Sequence, residues 1–147
     1  MKAIFACAVI VACAMNFDFS ILAADGEHSV AQNDFSEFWK KFKSAVIAGD
    51  KAAVVEMTKF PVSMSYGVKA VKNKESFLRR YDEIFKGEAN AAQCFAKAKP
   101  QKESAQEYQV YCPFKDTPND WENAPIRFMF ELSKGGWKFT GLDNINE

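Results

Sequence analysis

Cys94 and Cys112 constrain this chain more than any other pair of positions, because the remaining cysteines lie in a segment of a different kind. Cys7 and Cys13 fall inside the apolar run 3–15, which follows Met1-Lys2. A short basic end and then about a dozen apolar residues form the pattern of a secretory signal, too short to span a bilayer as a stable helix. The reading adopted is a signal over 1–24, cut after Leu22-Ala23-Ala24, and a polar lead-in over 25–33. Ala12-Cys13-Ala14 offers a cleaner cut but a shorter signal, and Ile10-Val11-Ala12-Cys13 has the form of a lipobox that would lipidate Cys13. A buried N-terminal helix is the structural alternative.

Once the signal is removed, a single even pair is left in a chain bound for the periplasm or the exterior, and a Cys94–Cys112 disulfide is expected. Two buried thiols are the alternative. A metal pair lacks further ligands: zinc wants four nitrogen or sulfur donors, and the only histidine, His28, lies in the lead-in. No metal or cofactor is expected. Closing a loop of this size stabilises the fold by about 3 kcal/mol through lost chain entropy.

Residues 34–147 read as one domain. Asp34 is placed to cap a helix in which Phe35, Phe38, Trp39, Phe42, Ala45 and Val46 share a face. Gly49 ends it, and Asp50 caps a short second helix with Ala53, Val54 and Met57. Phe60-Pro61 stops that helix, since the residue before proline disfavours the helical region. Val62, Met64 and Tyr66 then alternate with serines as a strand. After Gly67 a short extended piece leads to Asn73, which caps a third helix carrying Phe77, Leu78, Tyr81, Ile84 and Phe85 on one face up to Gly87.

The rest is predicted to be strands. Segments 91–98 and 106–114 flank a polar stretch, and a cysteine pair between them sets Ala96 opposite Val110 and Phe95 opposite Tyr111. Cys94, Ala96, Val110 and Cys112 then point inward. A loop over 113–125 carries Asp116, Asn119, Asp120, Trp121 and Glu122, whose spacing is not that of an EF-hand. The last hairpin turns at Gly135-Gly136. Its register pairs Leu132 with Phe139 and puts Ile126, Phe128 and Phe130 on the inner face. The outer face is left with Phe95, Tyr111, Met129 and Leu142 among polar residues.

This order of elements resembles the NTF2-like (cystatin-like) superfamily, an α+β fold in which N-terminal helices pack on a curved antiparallel sheet to form a cone. The segments that carry the resemblance are FSEFWKKFKSAVIAGD, FPVSMSYG, KESFLRRYDEIF and GGWKFTGL. The chain is also similar to small exported bacterial proteins of that superfamily with no assigned function. The resemblance implies a pocket at the wide end of the cone and a homodimer through the outer sheet face. None of the segments is a catalytic motif, so it implies little about activity.

Net charge is zero, with 19 basic and 19 acidic residues interspersed, so the electrostatic footprint needed for nucleic acid is missing. The chain holds 14 Phe, 4 Tyr and 3 Trp, enough to build a dense core or to line an apolar cavity. Trp39, Tyr66, Tyr81 and Tyr108 are the candidates for ligand binding, each weighed against a place in the core. Phe95, Tyr111, Trp121 and Met129 are the candidates for a partner surface, with Trp121 otherwise folded back over the sheet edge.

Isomerases and dehydratases of the superfamily place Asp or His beside Tyr inside the cone. Here the inward positions carry apolar residues, and Asp82 beside Tyr81 is the nearest carboxylate, otherwise a surface group near Arg79 or Lys86. No catalytic residue is assigned. The function read from the sequence is an exported, non-enzymatic protein holding a small apolar ligand or a protein partner in or around the cone. The alternative is an isomerase or dehydratase with a concealed acid–base pair.

Overall fold

The computed structural model describes residues 34–65, 67 and 69–146. The expected signal and lead-in, and the ligand candidate Tyr66, lie outside the described residues. Helix α1 (Phe35–Ala48) begins where the Asp34 carboxylate accepts the Ser36 N–H at 2.8 Å. It ends at Gly49, whose φ of 69° is left-handed and reached there without steric cost. Asp50 caps α2 (Lys51–Glu56) by accepting the Ala53 N–H. The two helices meet at the corner read from Gly49-Asp50.

Strand β1 (Thr58–Met64) pairs antiparallel with the two-residue β2 (Ala70–Val71). The single third helix expected after Asn73 is two short ones, α3 (Lys74–Arg79) and α4 (Tyr81–Lys86), broken at Arg80. Asn73 caps α3 and Gly87 ends α4. Phe77, Tyr81, Ile84 and Phe85 are buried, but Leu78 is 42% exposed. One residue is about 100° of helical rotation, which turns Leu78 off the i, i+4 stripe.

The largest correction concerns the segment after α4. Residues 91–98 are not a strand: Ala91–Lys97 is a helix, α5, capped by Asn90. Its buried residues are Ala91, Cys94 and Phe95, a helical i, i+3, i+4 set. Alternating Cys94 and Ala96 looked like a strand, whereas Ala, Gln and Lys favour helix and Ala96 is exposed. The partner of β4 (Glu107–Cys112) is instead β3 (Gln101–Ser104), with Gln101 opposite Gln109. The cysteine pair survives the change. Cys94 and Cys112 are bonded with Cα atoms 5.7 Å apart, joining a helix to a strand rather than two strands.

Strands β5 (Ile126–Ser133) and β6 (Gly136–Asn144) form the closing hairpin, with Ser133 opposite Gly136 and Leu132 opposite Trp137. This register differs from the expected one by two residues, so each side chain keeps its expected face at that end. Between Met129 and Phe130 the register steps, leaving Thr140 as a bulge. The extra residue reverses the alternation of β6. Leu142, expected outside, therefore lies fully buried opposite Phe128.

The six strands run in the order β2-β1-β6-β5-β4-β3, with β1 parallel to β6 and the other pairs antiparallel. The helices pack on one face of this curved sheet, an α+β architecture consistent with the NTF2-like cone. Among the described residues no helix is long and apolar enough to cross a membrane.

Phe42 is fully buried and meets the rings of Phe130 and Phe139 at 5.1 and 5.6 Å. Phe42→Ala should lower the free energy of unfolding in urea by about 3–5 kcal/mol. Leu78→Ala should change it by less than about 0.5 kcal/mol, because that side chain stands largely in solvent.

Candidate functional site

The interior of the cone is occupied by rings. Phe42, Phe77, Phe85, Phe95, Phe128, Phe130 and Phe139 come from four helices and two strands, and all are fully buried. They meet mainly edge-on or tilted, with Phe95 and Phe128 at 4.9 Å and 80°, the favoured arrangement of ring quadrupoles. Open space for a small molecule lies instead at the rim.

A groove of about 440 Å³ opens there, between the N-terminal turn of α1, the β3–β4 hairpin and the start of β6. Phe35 and Trp39 come from α1, Tyr108 from β4 and Trp137 from β6. Phe35 lies flat on Tyr108, with centroids 3.8 Å apart and planes 3° from parallel. Trp137 meets both edge-on, at 4.9 and 5.3 Å. Trp39 is backed by Phe95 at 5.0 Å and Phe130 at 5.7 Å. The groove walls are thus extensions of the core. Asp34, Ser36 and Lys102 supply the polar edge, and Asp34 is committed to capping α1.

The structure brings two of the four expected ligand residues, Trp39 and Tyr108, into this groove. Phe35, Pro100, Lys102 and Trp137 join them without having been singled out as ligand residues. Phe35 and Trp39 are spaced i, i+4, so the sequence shows them as neighbours but cannot tell a core stripe from a groove wall. Trp137 enters through pairing, two strands away from Tyr108.

Tyr81 lies elsewhere, 2% exposed among Phe77 and Phe85, with the Lys51 ammonium 5.0 Å from its ring centroid. Its buried hydroxyl has no hydrogen-bond partner among the described residues. Burial, reinforced by the charges of Asp82 and Asp50, pushes the phenol up to about 12. Asp82 points into solvent, paired with Lys86 at 2.8 Å and Lys51 at 3.5 Å. The hydrogen bond from Lys86 holds its carboxyl below the usual range, opposite to the shift a general acid needs. Glu75 is also exposed, on Arg79. The Tyr81–Asp82 neighbourhood is therefore not an assembled acid–base pair.

Of the expected partner residues, Tyr111 and Trp121 share a second cavity of about 440 Å³ on the outer side with Gln101, Pro125 and Ile145. Trp121 is 40% exposed, and the Tyr111 hydroxyl donates to Gln109 at 2.6 Å. Met129 does not join them; its methyl lies over Gly141, where an added Cβ would sit 2.7 Å from it. Phe95 is a correction, being 0% exposed in the core because α5 is a helix. With Phe95 and Leu142 inside, the outer face loses half its expected apolar set. A two-pronged Arg127–Asp143 ion pair lies across it instead.

No family model and no curated protein matches the chain. Among solved structures it is similar to an NTF2-like protein of unknown function from Pseudomonas putida, at 8% identity over 78% of this chain and 85% of that one, TM-score 0.42. It is also similar to a hexachlorocyclohexane dehydrochlorinase from Novosphingobium barchaimii, at 13% identity over 79% and 84%, TM-score 0.40. A computationally designed 17-OHP binder matches at 12% identity over 71% and 84%, TM-score 0.42. TM-scores this low add nothing to the strand order and packing described above.

Tyr81 yields a test of its own. Tyr81→Phe should stabilise the protein by about 1 kcal/mol, since it removes a buried hydroxyl left without a partner. The phenol keeps its proton more firmly folded than unfolded, so its contribution is complete below the ordinary value of 10.0 and is lost as pH rises towards about 12. Across that window wild-type stability should fall by up to about 1.4 kcal/mol per pH unit more steeply than that of Tyr81→Phe, read from urea midpoints.

Proposed function

We propose that this protein is an exported, non-enzymatic binding protein that holds a small apolar, ring-containing molecule in the groove formed by Phe35, Trp39, Tyr108 and Trp137. The groove itself carries the reading: aromatic walls braced by the core, with a few polar groups at the edge, are the usual form of a small-molecule site. Export is supported by the basic and apolar start of the chain and by a disulfide suited to an oxidising compartment. The walls are already packed before a ligand arrives, so little side-chain entropy is lost on binding.

The reaction-based alternative draws on one observation, the unpartnered phenol of Tyr81. A ketone or alcohol oxygen could use such a donor. The two readings call on different residues and separate cleanly.

Titration with anilinonaphthalene sulfonate, a probe with aromatic rings and one sulfonate, should report binding to the native protein by fluorescence. Tyr108→Ala should weaken it by about thirtyfold, the scale of a buried aromatic contact of about 2 kcal/mol. Trp121→Ala and Tyr81→Phe should leave it unchanged. Loss of binding in Trp121→Ala with retention in Tyr108→Ala would move the site to the outer cavity. Loss of turnover on a small ketone in Tyr81→Phe would establish the enzyme instead.

A further inference from the structure

We propose that the Cys94–Cys112 disulfide positions the walls of the aromatic groove, so that ligand affinity depends on the bond being closed; this rests on the groove being the binding site. Helix α5 stands between the two. Its Cys94 is tied to Cys112 of β4, the strand that carries Tyr108 four residues earlier. The next residue on α5, Phe95, is fully buried and meets the groove residue Trp39 edge-on at 5.0 Å and the core ring Phe128 at 4.9 Å. Just beyond α5, Pro100 lines the groove, and β3 follows with Lys102 on the same lining. One covalent bond therefore sets the backing of Trp39, the course of the chain at Pro100 and the distance of both from the strand of Tyr108.

The bond adds a covalent hold to the one that the Phe95 ring supplies. α5 has seven residues, and a helix so short has little stability of its own in water. Its buried contacts come from Ala91, Cys94 and Phe95, and Cys94 is itself the bonded residue. Opening the bond frees α5 to shift, and the neighbours of Trp39 shift with it. A dithiol reductant supplies two electrons and two protons: the Sγ–Sγ bond breaks, Cys94 and Cys112 become thiols, and the reductant leaves as its own disulfide. Both sulfurs are buried, so the bond acts as a standing brace.

The test uses the full chain in a Trp121→Phe background, where the remaining tryptophans, Trp39 and Trp137, both line the groove. Acrylamide quenching of their fluorescence needs no ligand, and anilinonaphthalene sulfonate titration reads affinity. In Cys94→Ala/Cys112→Ala, and in dithiothreitol-reduced protein that keeps its far-ultraviolet circular dichroism, quenching should rise about twofold as the helix opens locally. Probe affinity should fall about tenfold. Unchanged quenching in the folded, open-bond protein overturns the proposal. Increased quenching with no probe binding even by the oxidised protein keeps the brace and removes the binding reading. If the double variant does not fold, Phe95→Leu with the bond intact loosens the same backing, and unchanged quenching there overturns the proposal equally.

Discussion

Everything in this structure depends on the burial of phenylalanine inside the cone. Each fully buried ring contributes about 1.5–3 kcal/mol, so a few of them rival the 5–15 kcal/mol that separates folded from unfolded domains. Phe42, Phe77, Phe85 and Phe95 reach in from separate helices and meet Phe128, Phe130 and Phe139 on the sheet. Helices α3, α4 and α5 are short, so each is held by the ring it contributes more than by its own propensity, with the disulfide added at α5. The interior is filled by these rings, and the aromatic groove lies where that packing runs out at the N-terminus of α1.

The sheet carries the other half of the geometry. The bulge at Thr140 turns Leu142 inward opposite Phe128 and leaves Gly141 outward beneath the Met129 methyl. One unpaired residue thus moves an apolar side chain from the surface to the core and takes it from any outer-face interface. The Arg127–Asp143 pair puts charge on that face rather than an apolar patch. The exposed Trp121 and the half-buried Tyr111 lie together on a cavity of their own.

Much of this was legible beforehand where the signal is local. Asp34, Gly49, Asp50, Asn73 and Gly87 mark helix ends through their own backbone and side-chain chemistry, and all five act as read. The closing hairpin was visible in its glycines, though its turn falls at 134–135. The segment 91–98 reads as a strand from sequence because a short run with Cys94, Phe95 and Ala96 satisfies a strand alternation as readily as a helical stripe. The helix places Phe95 in the core, where a strand would have turned it outward. Trp39 and Tyr108 could be nominated as aromatics able to line a pocket, but their meeting with Phe35 and Trp137 could not.

The sequence by itself determined the local grammar: which residues start and stop helices, which stretches alternate, and that Cys94 and Cys112 are a pair within the domain. Only the tertiary structure decided what that pair joins, which face Leu142 takes and where the aromatic groove opens. The physical reason lies in range. Caps and turns are settled by atoms a few residues apart, whereas a bulge, a helix-to-strand disulfide and a groove drawn from α1, β3, β4 and β6 are settled by contacts between distant segments, whose relative placement is resolved only when the rings pack.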